Sequence, residues 1–485
     1  MTIAPPETTT WETLDKTLAA AEKAAAAYRR WDRADRARLL RTIADALDAA
    51  AQQLVPIAQE ETHLAEGRLR GELTRTTFQL RLFAETIDNG AYLDARIDEA
   101  DPDWPMGAPR PDLRRVMRPL GPVLVFSASN FPFAFSTAGG DTASALAAGC
   151  PVVVKAHRGH PRLTEATAEA VKGACVQAGA PDGTFAVIVG TESGRIAVQD
   201  LRVKAAGFTG SISGGRALFD LATSRLDPIP FYGELGSNNP VVVTAAADAE
   251  RGAEIADEFV GSFTMGAGQF CTKPGTLLVP VGSRVLDRLR ETTLPQGAPM
   301  LNRGIRDGYV TEITKLRSNG AEVVNSGAEP FSETAPDPII HRIDAVEVLE
   351  RPDDLLGECF GPSTLVIEYT DDSQLLELAQ AYTGQLTASV QAVGDEEVLP
   401  ELFDTLAEVA GRLLFNQWPT GVSVTHAQQH GGPYPASTAA GTTSVGTAAI
   451  ERFLRPVAYQ GMPEHLLPTE LVVGSGVTQM INGRR

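Results

Sequence analysis

Cysteine is scarce: Cys150, Cys175, Cys271 and Cys359 are the four in 485 residues. They are scattered and form no C-x-x-C pair, so neither a zinc ribbon nor a dithiol redox motif is indicated. Bridges this sparse would make a poor framework for so long a chain. The thiols therefore read as reduced, in a cytosol-like compartment. Basic residues are in deficit as well, with 42 Lys and Arg against 61 Asp and Glu, a net charge of −19. No basic stripe remains for a nucleic-acid backbone, and an anionic membrane surface would repel the chain. The opening Met1-Thr-Ile-Ala-Pro-Pro-Glu7 has no basic and then apolar stretch, so no signal peptide is expected. The uncharged stretch between Arg118 and Asp141 carries Pro119, Gly121, Pro122, Asn130 and Pro132. A membrane helix of about 20 residues does not normally hold so many breakers.

Familiar signatures are missing too. There is no G-x-G-x-x-G, no G-x-x-x-x-G-K-[ST] and no G-x-S-x-G, so the usual dinucleotide, P-loop and serine-hydrolase readings lapse. His426 and His430 stand four apart, but H-E-x-x-H is not satisfied and Gly431-Gly-Pro-Tyr-Pro435 follows directly. Ordinary loop histidines are expected there, and no metal site.

What is present is an alternation. Ala-rich segments from Thr17 to Tyr28 and from Ala34 to Ala51 have helical spacing, and the Pro-rich run from Asp101 to Pro111 marks a connection. Short β-branched runs follow at Val123–Phe126, Val152–Val154, Ala186–Val189, Val241–Thr244, Thr276–Val279 and Thr364–Tyr369. Helical stretches such as Gly140–Ala148 and Arg162–Gln177 lie between them, which points to parallel α/β sheets. A boundary is expected near Gly233, and Glu470–Val473 is a candidate edge strand.

Four segments could carry chemistry. Cys271, in Gly266-Ala-Gly-Gln-Phe-Cys271, follows glycines that let backbone approach a ligand. A nucleophilic thiolate would want that access and an electropositive setting; a core cysteine fits the residue type equally. Glu234 stands between Gly233 and Leu235-Gly236 at the end of an apolar segment. It suits a general base whose pKa burial raises, or else a turn residue capping amides. Asn130 follows a strand, where its amide could meet an oxyanion or simply start a turn. Thr209-Gly210-Ser211 joins a strand to a helix start, a place that suits phosphate or plain capping.

Taken together and in order, SNFPF at 129–133, VVVKAHRGHP at 152–161, FTGS at 208–211, ELGSNNP at 234–240, GQFC at 268–271, ECFGP at 358–362 and NQWPTGV at 416–422 resemble the aldehyde dehydrogenase superfamily over most of the chain. KAHRGHP, GSISGGRAL, HGGPYPAST and ERFLRPVAYQ are closest in texture to its NADP-preferring α-ketoglutaric semialdehyde (2,5-dioxovalerate) branch. The resemblance implies an α/β fold with a variant Rossmann cofactor domain, an α/β catalytic domain and a small β oligomerisation element. On this chain the cofactor domain would be 1–233, interrupted by that element at about 101–118. The catalytic domain would be 234–430, and 431–485 would return to the cofactor domain and the oligomerisation sheet.

It also implies roles. Cys271 would attack the aldehyde, the Asn130 side chain and the Cys271 N–H would hold the oxyanion, and Glu234 would activate water against the thioester. Lys155, His157, Arg158, Thr209, Gly210, Ser211, Glu358 and Phe360 would bind the cofactor. Arg158 stands where NAD-preferring members often carry a Glu, so NADP is expected, with NAD possible. Phe131, Phe135, Phe270, Thr272 and Trp418 would line the aldehyde tunnel. A small aldehyde, no nucleic acid, no membrane and a homodimer or homotetramer complete the expectation. The rivals are a fatty-aldehyde dehydrogenase, a thioester-forming transferase to coenzyme A, and a non-catalytic protein of the same fold. Glu234 opposes the transferase, because a water-activating base is a liability there. The trio Asn130, Glu234 and Cys271 opposes the non-catalytic protein.

Overall fold

The computed structural model describes residues 7–484. Its first sheet has five parallel strands in the spatial order Phe185–Ile188, Val152–Lys155, Val123–Phe126, Ala205–Thr209, Phe231–Glu234. The strands are apolar on both faces because helices cover both. Val123, Val125, Val152 and Val154 enter the core beneath the amino-terminal helices. Leu124, Phe126, Val153 and Ala206 enter a second core on the other face. Helices Gly140–Ala148 and Pro161–Ala178 supply crossovers, each ending on a left-handed glycine, Gly149 or Gly179.

The chain leaves this sheet at Glu234 and enters the second at Val241. That sheet has seven strands, ordered Glu322–Ser326, Ile339–Asp344, Ser363–Tyr369, Thr276–Pro280, Val241–Val243, Gln385–Gln391, Ala410–Phe415. Only the first pair is antiparallel. Val242, Leu278 and Ile367 fill one core while Val241, Leu277 and Val366 fill the other, the period of two expected of strands. After the second sheet the chain comes back: Thr447–Phe453 packs on helix Gly140–Ala148, and Phe453 joins the first core.

A third sheet of four strands stands apart, ordered Leu454–Gln460, Leu113–Pro119, Ala95–Asp98, Gln479–Ile481. Leu454 to Gln460 runs antiparallel to Leu113–Pro119 without a slip. Within 101–118 the strand begins only at Leu113; the Pro-rich part is a loop clipped by a bridge between Asp101 and Arg110. The expected edge strand at 470–473 is a correction. Thr469–Leu471 is a short 3-10 turn, and the edge strand is Gln479–Ile481. Its partner is Ala95–Asp98, a parallel pairing set by contacts nearly the whole chain away, which local composition does not encode. Asn482 finishes the strand, accepting from the Glu99 N–H at 3.0 Å and from Arg110 at 2.8 Å.

Candidate active site

Neighbouring strands of the first sheet end together. Thr209 and Glu234 close adjacent strands, and Asn130 lies on the loop that leaves the next one. Carboxyl ends of parallel strands are where such sheets gather ligand groups. From the second half of the chain, helix Ala245–Thr264 runs out into a tight turn that delivers Cys271 to the same place. A cavity of about 570 Å³ is bordered by Asn130, Glu234, Cys271, Glu358 and Phe360.

The turn before the thiol is sterically demanding. Gly266, Ala267 and Gly268 all have left-handed φ, at 59°, 56° and 66°. A Cβ at Gly268 would lie 2.1 Å from the Gly361 carbonyl, so only glycine lets the two loops pass. A buried amide then fixes the backbone around the thiol: Asn239 Nδ2 donates to the Cys271 carbonyl at 2.8 Å and to that of Lys273 at 3.0 Å. Asn239 is oriented in turn, its Oδ1 accepting from Ser237 and Thr387 hydroxyls. Gln385 Oε1 accepts the N–H groups of Asn238 and Asn239. No protein acceptor takes the Cys271 N–H among the described residues. Asn130 Nδ2 points to the same turn, donating to the Gln269 carbonyl at 3.2 Å.

The electrostatics run against one sequence expectation. Burial pushes the Cys271 thiol up to about 12, and the carboxylates of Glu234 and Glu358 add to it. Arg412 and Arg75 pull the other way without prevailing. The setting is therefore not the electropositive one that a ready thiolate would have. Glu234 behaves as expected. Burial raises it well above the usual carboxylate range, and its Oε2 has no hydrogen-bond partner. Glu358 is pushed up to about 7, again by burial, against the pull of Lys273. Lys273 is itself buried and donates to the carbonyls of Cys359 at 2.8 Å and Ser363 at 2.7 Å. Gly236 admits Glu358: a Cβ there would meet Oε2 at 2.5 Å.

The cavity continues away from the thiol along small polar groups. Thr209, Gly210, Ser211 and Ser213 border it where helix Ile212–Thr223 begins. Ser211 caps that helix by accepting from the Gly214 N–H at 3.2 Å. Among the described residues the N–H groups of Ile212 and Ser213 have no protein acceptor, as is common for first-turn groups, and they suit an anion. His157 and Arg158 border the far side. Arg158 is exposed and makes no hydrogen bond or ion pair with any described residue. Lys155 lies with its carbon stem against Gly194, and its ammonium likewise has no protein partner. Helix N–H groups without a protein acceptor and two cations without a protein partner among the described residues fit a pyrophosphate-bearing nicotinamide cofactor.

On the opposite side of the thiol, Phe131 meets Phe135 and Phe270 edge to face, at 5.4 and 5.1 Å between centroids. Two residues expected with them are not joined to this cluster. Trp418 stacks on Phe259 at 5.7 Å and donates to Glu258 at 2.8 Å, against the core of the second sheet. Thr272 is buried and accepts from the Gly421 N–H at 3.3 Å, bracing a loop. Both follow motif residues in sequence, and neighbours along a turn point in different directions.

His430 is the clearest residue the sequence reading missed. Expected as an ordinary loop histidine, it is buried with Nε2 3.5 Å from Cys271 Sγ, and its ring packs 6.0 Å from Phe135. Burial and the charges of Arg412, Arg75 and Arg452 hold it neutral, down to about 3. His426 does remain an exposed loop residue, next to the Thr447 hydroxyl. The signal that could have separated them is the pair Gly431-Gly432. The loop presses on backbone there, and a Cβ at Gly432 would lie 2.1 Å from the Gln385 carbonyl. Asn239 and Gln385 were not singled out, since buried amides leave no periodic trace.

Comparison with known proteins agrees with this geometry. The chain is 44% identical over 487 aligned residues to an α-ketoglutaric semialdehyde dehydrogenase of Acinetobacter baylyi, covering 98% of this chain and 91% of that one. It is also 44% identical to α-ketoglutaric semialdehyde dehydrogenase 2 of Azospirillum brasilense, covering 92% and 86%. In fold it resembles the succinic semialdehyde dehydrogenase of Streptococcus pyogenes solved with NADP+, with a TM-score of 0.78 at 18% identity, over 95% of this chain and 97% of that one. An NAD-dependent aldehyde dehydrogenase of Sinorhizobium meliloti gives 0.77 at 23% identity, over 94% and 88%. The model of the aldehyde dehydrogenase family matches residues 2–457, and the chain belongs to that family: it is an oxidoreductase acting on aldehydes.

Proposed function

We propose that this enzyme oxidises 2,5-dioxopentanoate (α-ketoglutaric semialdehyde) to 2-oxoglutarate, with NADP as the preferred cofactor. The observation that carries the chemistry is the meeting of Asn130, Glu234 and Cys271 on one cavity. The substrate rests on the names of the two relatives at 44% identity. Cys271 Sγ adds to the aldehyde carbon as the thiolate; His430 Nε2 lies 3.5 Å from it and, held neutral, is too weak a base to keep the thiol proton. The Asn130 amide and the Cys271 N–H receive the oxyanion; one such donor contributes about 3 kcal/mol to a transition state. A bound nicotinamide would supply the hydride acceptor for the thiohemiacetal, and Cys271 keeps the acyl group on its sulfur as a thioester. Glu234 takes a proton from water, which attacks the thioester and releases the carboxylic acid and the thiol. A carboxyl raised by burial is basic enough for that work near neutral pH.

Residues 1–233 hold the cofactor in this reading. Lys155, His157 and Arg158 lie toward its adenosine end, Thr209, Gly210 and Ser211 at the pyrophosphate, and Glu358 and Phe360 at the nicotinamide. Arg158 faces a 2′-phosphate, which a guanidinium can clamp with two hydrogen bonds. Residues 234–430 supply the thiol, and 431–485 return to close the site. The outer edge of strand Leu454–Gln460 is half solvated and suits pairing with a second copy, so a homodimer or homotetramer follows. A cytoplasmic setting agrees with four free cysteines and with the absence, among described residues, of a helix long and apolar enough to cross a membrane. The three phenylalanines favour the fatty-aldehyde reading instead. Reduced cofactor followed at 340 nm decides between them: a larger kcat/KM for hexanal than for the semialdehyde overturns the dicarboxylic reading.

A further inference from the structure

Helix Glu66–Asn89 places Arg68, Glu72 and Arg75 along one face, and that face borders the three phenylalanines. Arg68 stacks on Phe131 and Phe270, at 5.1 and 4.6 Å from the ring centres. Its Nη2 donates to the Asn130 carbonyl at 2.6 Å, so part of its fork is committed to positioning the oxyanion residue. Glu72 gives its Oε1 to the N–H groups of Phe133 and Ala134, while its Oε2 has no hydrogen-bond partner among the described residues and its charge acts on both Arg68 and Arg75. Across the site, Arg412 holds the loop 416–421 by donating to the carbonyls of Pro419 at 2.8 Å and Gly421 at 3.2 Å. Arg75 differs in that none of its nitrogens is committed: it makes no hydrogen bond or ion pair with any described residue, and its Nη1 is buried without a partner, as are Nε and Nη1 of Arg68 and Nε of Arg412. Its guanidinium lies 5.3 Å from the Phe135 ring centre. Phe135 packs on His430, and His430 touches the thiol.

A guanidinium N–H out of water and without an acceptor is destabilising unless something supplies one. Its planar fork matches a carboxylate, and the aromatic wall beneath it excludes competing water. Resting on the substrate reading above, we propose that Arg75 receives the carboxylate at the far end of an oxo-acid semialdehyde whose aldehyde carbon is at Cys271. Arg75 is then a specificity residue. It selects an anionic aldehyde within a tunnel whose walls alone would prefer an apolar one. Arg68 is a positioning residue, acting through Asn130 on every substrate alike.

The test measures kcat/KM for α-ketoglutaric semialdehyde and for hexanal with full-length enzyme: wild type, Arg75→Met, Arg75→Lys and Arg68→Met. Met keeps the apolar stem over Phe135 and removes the fork. Arg75→Met should lower the semialdehyde-to-hexanal ratio about 100-fold, mostly through KM. Arg75→Lys should recover part of that ratio, and Arg68→Met should depress both substrates while leaving their ratio within about threefold. If Arg75→Met keeps the wild-type ratio, or lowers both substrates equally, Arg75 is not the carboxylate site. Should Arg75→Met fail to fold, Arg75→Lys carries the test, and an unchanged ratio there is equally fatal. The substrate reading fails separately, in wild type preferring hexanal.

Discussion

Two arginines near the site of Cys271, one lining its cavity and one reached through Phe135 and His430, differ in what surrounds them. Arg158, on the cofactor side, is exposed among polar groups at the rim of the cavity. Arg75 is set against Phe135 with a buried and unpartnered Nη1. Neither pairs with a protein carboxylate. The hydrated cation gives up water to take an anion, so its net contribution is modest and is screened by salt. The half-buried one has already lost water at Nη1, so an arriving carboxylate gains more there than at an exposed cation. Selection between two similar cofactors can therefore be a surface property, whereas selection of an anionic aldehyde in an apolar tunnel has to be built into the interior.

The sulfur itself gives the largest effect. Cys271→Ala should remove turnover with every aldehyde and either cofactor, by at least about 10⁴-fold. Glu234→Gln should leave a burst of reduced cofactor without steady hydrolysis, provided hydride transfer outruns deacylation, as stopped-flow absorbance would record. Asn130→Ala should cost about 3 kcal/mol, roughly 100-fold in kcat/KM, and should do so equally for charged and neutral aldehydes. A charge-dependent loss there would blur the line between oxyanion and carboxylate sites. On the solvated side, Arg158→Glu should shift the NADP-to-NAD ratio of kcat/KM by about tenfold or more, with aldehyde selectivity unchanged. Unaltered cofactor selectivity would remove Arg158 from the site.

A smaller effect concerns pH. With the cofactor-free thiol raised to about 12, the thiolate fraction is small at neutrality and grows with pH. Alkylation of Cys271 by iodoacetamide should accelerate about tenfold per pH unit between pH 7 and 9. A plateau below pH 8 would mean that Arg75 and Arg412 outweigh burial, contrary to the balance given above. Glu358 titrates in the opposite sense for stability. A carboxyl raised to about 7 by burial stabilises the fold most when protonated. That contribution is lost as pH rises from the ordinary carboxylate range through 7. Glu358→Gln should accordingly raise the melting temperature at pH 8 relative to wild type more than it does at pH 5.

Much of this was legible in order along the chain. The strand runs at Val123–Phe126 and Thr276–Val279 and the helix at Gly140–Ala148 were expected almost to the residue. Apolar continuity and left-handed glycine stops are local properties, and they survive packing. Asn130, Glu234 and Cys271 were legible as motifs, because each sits beside glycines or prolines that the chain needs to bring backbone close to a ligand. The tail was misread, since a strand at Gln479–Ile481 exists only through its partner at Ala95–Asp98.

The sequence by itself determined the parallel α/β class, the presence of Asn130, Glu234 and Cys271 in their motifs and the cation at 158, because these depend on residue type within a few positions. Tertiary structure alone decided that His430 touches the thiol, that Trp418 packs against a core, and that Arg75 Nη1 is buried without a hydrogen-bond partner among the described residues. Each is a relation between side chains far apart in the chain, and burial and pairing are set by what the fold brings alongside.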